Sequence, residues 1–192
     1  MIYRPIILDE EVVIPKKSFL VSKTDIQGKV IYVNKSFCEV TGYSEDEIVG
    51  EPHDVVRHPD TPRAIFYLLW ESLLSGNDST VVFKNLAKSG KYYWVISNLS
   101  NITSKQNKVE LTSFSYAASA YVTDIMEELY DEMILAEKKN GIEGSLLLLE
   151  IFLAEKEMNY QEFIEELIKP RSILTNISYE LKNALQIFWN KI

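Results

Sequence analysis

Cysteine occurs once in these 192 residues, histidine twice, tryptophan three times and glycine seven times. The single thiol, Cys38, cannot close an internal disulfide, which fits a reducing cytoplasm. The two histidines, His53 and His58, have no cysteine beside them and a spacing poorly suited to joint metal binding, so zinc is set aside. No apolar run approaches the ~20 residues a bilayer requires. The longest, Leu146–Leu149 resumed after Glu150 by Ile151–Ala154, falls well short. The opening Met1-Ile2-Tyr3-Arg4-Pro5 lacks the basic-then-apolar order of a secretory leader. Basic charge is outweighed: 20 Lys and Arg against 28 Asp and Glu leave a net charge of −8. An acidic chain repels phosphate backbones, which argues against general nucleic-acid binding. Nucleophile–base pairs, phosphate loops and metal clusters are equally missing, so the chain reads as a non-enzyme.

What is present is a hydrophobic content of 46% with 25% charged residues, the balance of a soluble globular protein with a sizeable core. Residues 1–18, with Pro5 and Pro15 and no clear periodicity, read as an N-terminal cap. Phe19 to Thr24 and Lys29 to Val33 read as a hairpin around Asp25-Ile26-Gln27-Gly28. Helical signals follow: Asn34 before Lys35–Thr41, stopped at Gly42, then Ser44 with Glu47 as a capping box, ended by Gly50. Pro62 opens a longer helix to about Leu74. Three strands come next: one beginning at Thr80–Phe83, then Tyr92–Leu99, then Val109 to about Val122. Asn101–Asn107 reads as an exposed loop. From Thr123 on the pattern is helical, with Asn140-Gly141 ending one helix, another over about Glu143–Lys156, and Asn159 with Glu162 capping a third. After Pro170, Leu174, Ile177, Leu181, Ala184 and Phe188 form a coiled-coil-like seam. The expected class is α+β: a five-stranded antiparallel sheet with short helices on one face, then a C-terminal helical subdomain.

The densest polar chemistry lies in Pro52 to Pro62. Arg57 offers planar bidentate donors, His58 donates or accepts, and Asp60 accepts, all held between prolines. Such a set grips a polar, partly anionic ligand. The competing reading is structural: Asp60 or Thr61 caps the helix after Pro62, and Arg57 pairs with Asp54 or Glu51. Trp70 reads either as core or as an aromatic wall, and Trp94 as packing. Cys38 reads as a small buried residue. The acidic clusters after Thr123 read as solvated faces.

Phe19 to Val122 resembles a PAS domain. The carriers are Gly28-Lys29-Val30-Ile31-Tyr32-Val33-Asn34-Lys35-Ser36-Phe37, Gly42-Tyr43-Ser44, Glu47-Ile48-Val49-Gly50, Lys88-Ser89-Gly90-Lys91-Tyr92-Tyr93-Trp94-Val95 and Val122-Thr123-Asp124-Ile125. Pro52-His53, Val56-Arg57-His58-Pro59-Asp60, Pro62 and Trp70 are similar to the aerotaxis-receptor (Aer) subgroup. The resemblance covers 19–122 as the PAS domain, and the pattern of the remaining residues leaves 1–18 as the N-terminal cap and 123–192 as a helical output and dimerisation region. It implies a cytoplasmic redox or oxygen sensor with noncovalent FAD, signalling to a chemoreceptor-like partner or through a homodimer. By position it implies Arg57, His58, Asp60 and Trp70 as cofactor-binding residues, with Asn34 beside them. His53 is the candidate axial ligand if the cofactor is heme instead. The same residues are also compatible with a cofactor-free scaffold for partner proteins and with a sensor of a small organic acid. The flavin-adduct cysteine of LOV domains has no counterpart in Gly50-Glu51-Pro52-His53.

Overall fold

The structure, a computed structural model, describes residues 4–103 and 109–169. β1 (Leu20–Thr24) and β2 (Val30–Val33) form the first hairpin. Its turn requires Gly28, which stands at φ +79° with the Trp70 ring 3.9 Å from where a Cβ would lie. A left-handed backbone costs a side-chain-bearing residue ~1–2 kcal/mol, so glycine suits this point. α1 (Lys35–Thr41) starts at Asn34 and ends at Gly42, as its signals predict. α2 (Glu45–Ile48) carries the capping box of Ser44 and Glu47. A 3-10 turn, His53–Val56, follows, and α3 runs from Arg63 to Leu74.

The remaining strands are β3 (Ser79–Leu86), β4 (Tyr92–Thr103) and β5 (Val109–Ala117). All pairings are antiparallel, in the order β2-β1-β5-β4-β3. The sheet therefore joins at β1 and β5, so the last of the described strands lies in its middle. β4 is longer than its apolar stretch indicates: Asn101–Thr103, expected in a loop, continue the ladder to Val109 on β5. Polar residues extend a strand when each backbone group finds a neighbour. β5 is shorter than expected. It stops at Ala117, and Ala118 to Ala120 leave the sheet because the Ser119 hydroxyl accepts from Val122 N–H and starts α4.

Residues ahead of β1 run along the β3–β4 turn, where Leu8 and Val12 donate to Gly90 and Tyr92 carbonyls and Tyr92 donates to Glu10. Ile14 from this segment is buried.

The described residues divide into two compact units. The first ends at Pro59 and resumes over Leu69–Ala118; the second takes Asp60–Leu68 and the described residues from Ser119 on. In the second, α4 (Ala120–Ala154) is broken at Asn140 and Gly141, where φ reaches +70° at the glycine. The two arms are the two helices read from the sequence. Ile125, Met126, Leu129, Tyr130 and Met133 line the first arm's buried stripe; Leu148, Leu149 and Phe152 line the second's. α5 (Tyr160–Ile168) is capped by Asn159 and Glu162, and its Phe163 meets Phe152 edge-on at 5.1 Å. The coiled-coil-like seam beyond Pro170 lies outside the described residues.

Candidate ligand site

Residues paired across a sheet share a face, so the register defines one face row by row. Ser22, Ser113 and Leu99 make one row, and Leu20, Ser115, Ser97 and Val81 the next. Further along β4 come Val95 and then Tyr93, opposite Asn85 on β3. Helical elements cover this face: the Asn101 amide donates to the Leu73 carbonyl of α3, and His53 reaches Ser22.

The polar segment picked out in the sequence is a strap. Pro52 bridges Lys29 beside β2, one edge strand, and Arg57 bridges Asn85 on β3, the other edge strand. Between them His53–Val56 coils as a 3-10 turn at ~2 Å per residue. Further bonds fix its start: His53 N–H donates to the Gly28 carbonyl, and Val30 N–H to that of Glu51.

His53 shares a 3.1 Å hydrogen bond between Nε2 and the Ser22 hydroxyl, and its ring meets Phe37 of α1 edge-on. Burial holds its pKa down to about 4, opposed by the nearby Asp54 carboxylate. The imidazole is therefore neutral at pH 7. Arg57, half-buried, extends Nη1 to within 3.7 Å of Asp54 Oδ1, the surface pair foreseen for it. His58 is 2% exposed and lies edge-on to Tyr92. Trp70 is half-buried beside the Gly28 turn, in the neighbourhood where the strap begins. The first unit thus assembles His53, Arg57, His58 and Trp70, whereas Asp60 falls in the second unit.

Asn34 has a full set of backbone partners. Its Oδ1 accepts from Phe37 and Val21 N–H, and its Nδ2 donates to the Phe19 carbonyl. It ties β1 to the start of α1. Cys38 is half-buried rather than buried, and its thiol pKa is raised by burial and by Glu45. Trp94 is buried in the sheet with the Lys84 ammonium over its ring.

Sequence reading missed two features. The first is Glu137, whose side chain is 10% exposed. Its Oε1 accepts from Ala64 N–H at the start of α3 and from the Ser145 hydroxyl, and its Oε2 lies 3.3 Å from Arg63 Nε. A carboxylate 73 residues away meets this helix's first amides, a partner no local pattern announces. The second is the serine content of the helix-covered sheet face. Alternation of Ser113 with Ser115 was its visible signal.

A five-stranded antiparallel sheet with helices over one face and a strap across it resembles the PAS fold, and residues 30–114 match the PAS fold family. Among named relatives, the aerotaxis receptor of Escherichia coli (strain K12) is 36% identical over 94 residues, which are 49% of this chain and 19% of that receptor. The nitrogen fixation regulatory protein of Klebsiella pneumoniae is 27% identical over 97 residues, 50% of this chain and 20% of that protein. Both matches therefore span about a fifth of the relative's length. Among solved structures, a light-oxygen-voltage domain studied with a flavin analogue aligns with TM-score 0.49 and 22% identity, covering 56% of this chain and 82% of that one. The PAS domain of a protein from Colwellia psychrerythraea aligns with TM-score 0.44 and 22% identity, covering 52% and 86%. Among the described residues no helix is long and apolar enough to cross a membrane.

Proposed function

We propose that this protein is a cytoplasmic redox or oxygen sensor of the energy-taxis type. It binds FAD noncovalently in its PAS domain and signals through its C-terminal helices to a partner protein. It acts by binding rather than catalysis. The observation that carries the reading is the strap, with His53 between the two sheet edges, Arg57 bridged to the second edge, His58 next after it and Trp70 beside the strap's start. It supports the reading because four of the residues similar to those of the aerotaxis receptor subgroup, His53, Arg57, His58 and Trp70, lie in one unit.

The chemistry of the donors fits a flavin. Arg57 supplies a permanent cation for a pyrophosphate or ring carbonyl, through charge-assisted bonds roughly twice as strong as neutral ones. Trp70 supplies an aromatic surface. His58 completes the proposed set within this unit, and Asn34 acts as a positioning residue through its hold on β1 and α1. When bound, a flavin supplies a ring that takes up electrons and protons. The protein then needs only to bind the two redox forms with unequal affinity, since a ligand shifts an equilibrium by no more than that difference. β5 passes through Ala118 and Ser119 straight into α4, the direct covalent route outward. The proposed output is a signalling partner or a second copy of the chain; exposed Phe19 and Phe114, with Tyr116 beside Phe19, offer apolar surface for it.

Heme is disfavoured by one contact: the Nε2 of His53 is already committed to Ser22. Purifying the full chain under native conditions and recording its visible spectrum separates the readings. Paired oxidised-flavin bands, with FAD released on denaturation, are expected. A sharp Soret band would replace the flavin with heme, and a colourless protein that takes up no added FAD would leave a cofactor-free scaffold.

A further inference from the structure

Glu137 stands on the first arm of α4, just ahead of the break at Asn140 and Gly141. Its side chain is 10% exposed and gathers groups from two other stretches of chain. Oε1 accepts from the Ala64 N–H at the start of α3, at 3.0 Å, and from the Ser145 hydroxyl on the second arm of α4, at 2.9 Å. Oε2 faces Arg63 Nε at 3.3 Å. A nearly buried carboxylate is costly unless hydrogen bonds and a cation compensate it, and here both do. The sequence enforces the meeting of the two arms. A Cβ on Gly144 would lie 2.7 Å from the Ala136 carbonyl oxygen, so glycine alone lets the second arm come this close.

A second observation concerns α3. Its residues up to Leu68 group with the later helices, whereas those from Leu69 on group with the sheet. Arg63–Leu74 contains neither glycine nor proline, so it transmits a displacement as a rod. Trp70, beside the Gly28 turn, lies ~9 Å along this rod from Ala64. Leu73 accepts through its carbonyl from the Asn101 amide of β4. One end of α3 is thus tied to the sheet and the other is held by Glu137.

Ser145 supplies a second state. Its hydroxyl has one proton and two acceptors in reach, Glu137 Oε1 and the Ile142 carbonyl at 3.1 Å. If the carboxylate moves off, that proton stays satisfied on Ile142, and the exposed Arg63 can follow the carboxylate. Only the Ala64 N–H loses its acceptor, which biases the arrangement toward the closed form.

We propose that Glu137 is a latch coupling the ligand site to the helical unit through α3. This deepens the sensor reading and rests on it. Bound FAD favours one placement of Trp70, α3 carries that placement to Ala64, and the carboxylate passes it to both arms of α4. Glu137 acts through α3 and is a positioning residue. The latch reaches the second arm directly, whereas the path from β5 must cross the break at Gly141.

The test follows backbone amide signals of the full chain by nuclear magnetic resonance as FAD is added. In wild type, Trp70, Ala64 and Leu148, the last on the second arm, are expected to shift. Glu137→Ala keeps the response at Trp70 and loses it at Leu148. Coupling between sites is reciprocal, so the same variant binds FAD about fivefold more weakly or worse. Glu137→Gln, which keeps one acceptor oxygen, restores part of both effects. If Glu137→Ala does not fold, Ser145→Ala takes its place, with the response lost at Leu148 and kept at Ala64. A merely structural role for Glu137 would lower stability and leave these responses in place. Wild-type protein that binds FAD with no shift at Leu148, or a folded variant in which Leu148 still responds, overturns the latch and leaves the flavin reading intact. Wild-type protein that takes up no FAD overturns both.

Discussion

The imidazole of His53 and the hydroxyl of Ser22 are 3.1 Å apart, joining the strap to the inner face of β1 across 31 residues of chain. A half-buried imidazole in this setting stays neutral, with a pKa of about 4. The same group in the unfolded chain titrates near 6.5. Between those values the unfolded state holds more protons, so stability rises with pH there. The contribution is fully present above pH ~6.5 and is lost as pH falls toward 4, by at most about 3 kcal/mol. Urea titrations at pH 7 and pH 5 should show the loss in wild type and a smaller one in His53→Gln.

Asn34→Ala removes an N-cap bond and two ties to β1. A cap alone is worth ~1 kcal/mol, and two partly buried backbone groups are left without their partner. The expected loss is ~2–3 kcal/mol, read as a lower urea midpoint with an unchanged slope.

Gly28→Ala should cost ~1–2 kcal/mol through the backbone alone. The Trp70 ring, at 3.9 Å from the added carbon, is in ordinary contact and does not oppose it. Gly28→Asn should be milder, because asparagine tolerates the left-handed region better. Thermal melts of the two variants separate strain from steric exclusion; equal losses would point to the ring instead.

Glu137→Ala strips partners from Ala64 N–H and the Ser145 hydroxyl at once. The expected cost is ~2–4 kcal/mol, with Glu137→Gln recovering part of it by keeping one acceptor oxygen. Chemical denaturation followed by helix circular dichroism checks both the size and the order of the effects.

Arg57→Ala should lower FAD affinity at least tenfold while changing stability by under ~1 kcal/mol, since its pair with Asp54 is long and partly exposed. Its backbone bridge to Asn85 does not depend on the side chain. Equilibrium binding and urea titration on the same preparation check the two halves. Retained stoichiometric flavin would remove Arg57 from the site.

Local grammar carried most of the fold. Asn34, Ser44 with Glu47, and Asn159 with Glu162 each cap a helix where expected, because a cap is written in residues three apart. Strand ends were less legible. Asn101–Thr103 belong to β4 only because Val109–Leu111 lie opposite, and Ala118–Ala120 leave the sheet only because Ser119 finds Val122. For the candidate site, chain order brought His53, Arg57 and His58 near one another in advance. It gave no hint that the strap would end on opposite sheet edges, nor that Asp60 would group with the later helices.

By itself, then, the chain determined its class of elements, its turns and caps, and the polar segment that carries the aerotaxis-receptor likeness, all of which depend on neighbours a few residues away. Only the tertiary structure decided that Ser22, Ser97, Ser113 and Ser115 share one buried face and that Glu137 meets the start of α3. The physical reason is that cross-strand register and a distant carboxylate's approach are set by the packing of the whole chain, and no residue specifies its long-range partner alone.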